Sequence, residues 1–76
     1  MPRKLRQLRA DMRREGARVV HQAGSHEKWR HDLVPEYRVE LAGKDGDDAK
    51  AYQEREVAEL LRRIREARAR QKGTQP

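Results

Sequence analysis

Cysteine and phenylalanine do not occur in this chain, and tryptophan occurs once. Without a thiol there can be no disulfide framework and no thiolate metal site. No apolar run is long enough to cross a bilayer or to form the core of a signal peptide, so no membrane role is expected and a cytoplasmic location is the default. Apolar residues of every kind are scarce, at 34% of 76, which limits the chain to one small domain. Burial contributes about 25 cal/mol per Å² against an ordering cost of about 1.5 kcal/mol per residue, so the free chain is expected to be marginally stable. A partner that binds only the folded form would raise that stability by mass action.

Charge is plentiful. Lys and Arg number 19 against 13 Asp and Glu, a net charge of +6 and an isoelectric point near 10.3. Cations gathered on one surface neutralise phosphates and release counterions, which makes nucleic acid the first partner to consider. The distribution is uneven: residues 1–38 sum to +5, residues 39–59 to −4 and residues 60–76 to +5.

The pattern along the chain is helix, three strands, helix. In PRKLRQLRADMRREG, Leu5, Leu8 and Met12 fall on one helical stripe, Pro2 suits a first turn, and Gly16 suits the left-handed position past the end. ARVVHQ reads as a strand, Ala23-Gly24 as a turn, SHEKWRH as a second strand and DLVPE as a proline-containing loop. Tyr37 to Leu41 alternates as a half-buried strand does, and AGKDGDDAK reads as a loop. Val57, Leu60, Leu61 and Ile64 return to helical spacing, with Glu59–Arg63 and Glu66–Arg70 pairs four residues apart. The fold class that follows is α+β: a three-stranded antiparallel sheet with both helices on one face. The domain is expected to cover residues 1–70, with 71–76 as a flexible tail.

Strand parity then assigns faces. If Trp29 looks toward the helices, Glu27 and His31 share its side, and His26, Lys28 and Arg30 point the other way. In the third strand Tyr37, Val39 and Leu41 look inward while Arg38 and Glu40 look outward. The opposite register would bury Lys28 and Arg30, which is far costlier. One open sheet face should therefore collect an imidazole, several cations and a glycine turn, an arrangement suited to phosphate. His21 and His31 read as structural or edge residues, Trp29 as a core aromatic, and the helix-one arginines as a solvated face or as a source of nonspecific attraction to RNA. The three histidines make a poor zinc set, because His26 and His31 lie on opposite faces. KDGDD lacks the spacing of a calcium loop. No metal site and no cofactor are expected.

Gly24-Ser25-His26, followed by an aromatic and then His31, resembles the HicA family of toxin–antitoxin toxins. Residues 41–57, LAGKDGDDAKAYQEREV, resemble the GDDAKxYQE stretch of one branch of that family, and PRKLRQLRADM resembles its first helix. The likeness spans roughly residues 2–64. Ala17 and Ala51 depart from it: the family usually carries a large aromatic at the first and often His or Pro at the second. The resemblance implies a double-stranded-RNA-binding-like α-β-β-β-α fold and endoribonuclease activity on messenger RNA, with His26 as the catalytic histidine. It also implies a HicB-like antitoxin that covers the active face in a hetero-oligomer. In such a reaction His26 would act as base, because its ordinary pKa lets it accept a proton near neutral pH. Lys28, Arg30 and Arg38 would hold phosphate, and the turn at Gly24 and Ser25 would let RNA approach. A non-catalytic RNA-binding module using the same face is the alternative.

Overall fold

The computed structural model describes residues 2–73, with side chains through Gln71. Its elements are helix α1 (Leu5–Arg14), strands β1 (Arg18–Ala23), β2 (His26–His31) and β3 (Val34–Ala42), and helix α2 (Ala51–Gly73). The strands form one antiparallel sheet in the order β1-β2-β3, so β2 is central. This is the α+β arrangement that the sequence predicts, α-β-β-β-α with one three-stranded sheet.

The apolar stripe of α1 explains its placement. Leu5, Leu8 and Met12 are all buried and pack in one cluster with Trp29, Val39 and Leu41 from the sheet and Val57, Leu60 and Ile64 from α2. Both helices thus cover the Trp29 side of the sheet, and among the described residues no helix covers the other side. α1 begins at Leu5, so Pro2 lies ahead of the first turn rather than within it. The helix ends in a Schellman turn: the Ala17 N–H donates to the Met12 carbonyl and the Gly16 N–H to the Arg13 carbonyl, with Gly16 at φ +93°.

Two segments differ from the sequence reading. Of DLVPE, only Asp32 and Leu33 form the turn; Val34, Pro35 and Glu36 already belong to β3. Proline is tolerated there because β3 is an edge strand, where a missing N–H breaks no ladder bond on the solvent side. α2 also continues through Gly73, so residues 71–73 are helical, while the last three residues of the expected tail lie outside the described residues.

The acidic loop before α2 has a structural task. The Leu5 and Arg6 N–H groups donate to the carbonyls of Asp47 and Asp45, which satisfies two of the donors that a helix start leaves open. Asp48 pairs with Lys4 at 2.6 Å, and the Asp47 carboxylate accepts the Lys44 N–H at 3.0 Å. Arg9 locks this loop to the sheet. It is 5% exposed and donates to Glu27 (2.9 Å), Asp45 (2.6 Å) and the Gly43 carbonyl (2.7 Å). Burial by itself would lower its pKa, but the bonds to Glu27 and Asp45 outweigh burial and hold it above the ordinary arginine value. One helix-one arginine is therefore a buried tie rather than part of a solvated face. Its polar partners are invisible in a one-dimensional pattern, because Glu27 and Asp45 lie 18 and 36 residues away.

Candidate functional site on the open sheet face

β2 alternates as parity requires. Trp29 and His31 are buried on the helix side, whereas His26 is exposed and Lys28 and Arg30 are half-buried on the open side. His31 is structural, as the sequence suggests. Its Nδ1 accepts the Leu33 N–H at 3.0 Å and its Nε2–H donates to the Glu15 carbonyl at 2.9 Å. Those two bonds together require the neutral Nε2–H tautomer.

His26 opens β2 directly after a two-residue hairpin turn. Gly24 has φ +60°, while no described non-glycine residue has positive φ, so Ser25 does not; this pairing fits a type II′ turn with glycine first. A Cβ on Gly24 would meet nothing within 4 Å, so backbone conformation rather than space calls for glycine. The strand partners of His26 are Ala23 on β1 and Ala42 on β3. Two methyl groups cannot cover an imidazole, and the His26 side chain remains 60% exposed.

The ring is nevertheless held. Its Nδ1 lies 2.9 Å from Glu40 Oε2. With the proton on Nδ1 donated to the carboxylate, Nε2 keeps its lone pair and is not engaged by the protein. Glu40 sits directly opposite Lys28 across the β2–β3 ladder and reaches diagonally to His26. A pocket of about 250 Å³ adjoins this pair, lined by His26, Glu40, Ala42, Tyr52 and Glu56. Tyr52 comes from the first turn of α2 and is 46% exposed, an unusual degree for a large side chain in a chain so poor in aromatics.

The cations stand elsewhere on the same face. Lys28, Arg30 and Arg38 line a second cleft of about 400 Å³ together with Val20 and His21. Sequence parity places three of the named residues on the correct face but does not reveal that they are separated from His26's pocket. His21 reaches this face because of a bulge. Val19 pairs with Trp29 and His21 pairs with Lys28, so Val20 is an extra residue in β1. Strict alternation from Val19 would have sent His21 toward the helices; the bulge turns it outward. Val-Val-His carries no distinctive bulge signal, which is why His21 escaped a parity argument. Tyr52 was missed for a different reason: its position depends on how α2 seats against the end of the sheet.

Among the described residues, no three His, Asp or Glu side chains gather in a manner suited to a metal ion. No described helix is long and apolar enough to cross a membrane. Compared with known proteins, the chain matches no family model, no curated protein and no solved structure.

Proposed function

We propose that this protein is an endoribonuclease that cleaves messenger RNA with His26 as its general base, the toxin of a HicA/HicB-type pair. The observation that carries the reading is the His26–Glu40 contact on an uncovered sheet face. A carboxylate at Nδ1 fixes the tautomer in which Nε2 can accept a proton, and the exposure of the side chain leaves room for a ribose. The likeness of the Gly24-Ser25-His26 turn and of residues 41–57 to the HicA family supports the same assignment, as does the α-β-β-β-α order it implies.

In the reaction, His26 Nε2 takes the proton of a ribose 2′-hydroxyl while the 2′-oxygen attacks the adjacent phosphorus. The P–O5′ bond breaks, and the leaving 5′-oxygen takes a proton from water or from the Tyr52 hydroxyl, which shares the pocket. The products are a 2′,3′-cyclic phosphate and a 5′-hydroxyl. Every group used is supplied by the chain or by water. Glu40 acts as a positioning residue and stabilises the imidazolium that forms.

One observation favours the alternative of a non-catalytic RNA-binding module: the three cations converge on a cleft that does not include His26. Product analysis separates the two. The purified chain, incubated in EDTA with an RNA oligonucleotide, is expected to yield fragments ending in cyclic phosphate, and a 2′-deoxy substitution at the cut site should abolish that cut. Cleavage of the 2′-deoxy substrate, or 3′-hydroxyl products, would contradict the mechanism. Binding without any cleavage would establish the module. The partner expected for the toxin is a HicB-like antitoxin seated over this face, where Val20 and Tyr52 are the exposed large apolar side chains.

A further inference from the structure

We infer that the cleft lined by Val20, His21, Lys28, Arg30 and Arg38 is a second phosphate subsite. It anchors the backbone of a single RNA strand one or two nucleotides from the bond at His26. This rests on the RNA-cleaving assignment of His26 for its register, and on independent observations for its existence.

The first observation is a group of cations without a contact partner. Among the described residues Lys28, Arg30 and Arg38 form no ion pair: Glu40 stands opposite Lys28 but contacts His26, and Asp32 feels the charge of Arg30 but contacts Arg18 at 2.9 Å. Elsewhere the protein pairs its arginines readily, as at Arg3–Asp11, Arg63–Glu59 and Arg68–Glu15. Three like charges around one cleft repel one another, and an anion in the cleft converts that repulsion into attraction. The second observation is the bulge at Val20. It adds an imidazole, which donates or accepts a hydrogen bond, directly opposite Lys28, and it sets an apolar wall beside the cations that can meet a sugar or base.

The third observation is spacing. His26, Lys28 and Arg30 lie on one face of one strand, so their Cα atoms are about 6.7 Å apart in sequence. Phosphates on one strand rise by ~3.4 Å each when bases are helically stacked, and by about twice that when the chain is extended. A single extended strand laid along β2 therefore keeps step with this row. Tyr52, exposed beside His26, gives an unpaired base a ring to stack on. The substrate class is thus single-stranded RNA, with at least two phosphates required for tight binding.

Fluorescence anisotropy with end-labelled RNA of two, four and eight nucleotides tests this in the full chain. From the dinucleotide to the tetranucleotide, affinity should rise at least tenfold. The slope of log affinity against log salt should steepen by about 0.7 for each phosphate gained. Arg30→Gln with Arg38→Gln should erase the length gain, whereas Arg30→Lys with Arg38→Lys, which keeps the charge, should retain most of it. Circular dichroism of each variant establishes that it is folded. Equal affinity at all lengths, no change of slope in the glutamine variant, or tighter binding of a duplex than of a single strand would overturn the subsite. A length gain without any cleavage would remove the nuclease assignment and leave the subsite standing; cleavage without a length gain would do the reverse.

Discussion

The proposed chemistry asks that His26 be both free and oriented, and those demands are met by different neighbours. Freedom comes from alanines on both flanking strands; orientation comes from a carboxylate two residues along β3. Exposure of the His26 face was legible from parity alone, because burying Lys28 and Arg30 would have been prohibitive. The Glu40 contact was not, since it depends on the β2–β3 register, which joins residues 14 apart. Glu40→Gln keeps the shape and removes the charge. Steady-state kinetics should show kcat reduced about tenfold with KM nearly unchanged, the pattern of a group that helps only as charge develops. A rise in KM at constant kcat would instead make Glu40 a binding residue.

Among the elements, α1, β2 and the loop before α2 depend on one guanidinium. Removing one member of a buried charged network leaves the others without a counter-charge, so Arg9→Met should destabilise the fold by about 3 kcal/mol in urea unfolding. Adding Glu27→Gln should recover part of that loss, because the amide oxygen still accepts the Trp29 N–H that Glu27 now receives. On α2 the i,i+4 pairs read from the sequence are present, and Arg62 joins Glu59 as well. Hydrogen bonds from Arg62 and Arg63 hold the Glu59 carboxyl down at about 2. A carboxyl depressed in the folded state stabilises it above its unfolded pKa of about 4.3, and that contribution is lost as pH falls from there toward 2. The melting temperature should therefore decline across this window, and Glu59→Gln should make the decline shallower; an unchanged slope in that variant would show the pairs to be without thermodynamic effect. The elements themselves were legible because hydrophobic period and turn residues agree. The loop–strand boundary at Val34 was not, since proline in an edge strand and proline in a loop look alike in one dimension.

For the whole molecule, segregation of charge along the sequence becomes segregation by role in space. The acidic stretch of residues 39–59 is largely spent on the fold: Asp45 and Asp48 neutralise Arg9 and Lys4, and the loop's carbonyls cap α1. What remains unpaired on the open sheet face is positive, in a protein of net charge +6. The sequence revealed which face would carry the cations; it could not reveal that they and His26 occupy neighbouring but separate pockets, because the bulge at Val20 and the seating of Tyr52 arise from tertiary packing. Labour on that face is, in the proposed function, divided, with chemistry at one end of β2 and anchoring at the other. The most direct test measures RNA cleavage and RNA binding side by side for the native chain and for His26→Ala. The account predicts cleavage reduced by about 10²–10⁴-fold with affinity within about threefold of native. Undiminished cleavage by the alanine variant, or loss of binding in step with cleavage, would contradict it.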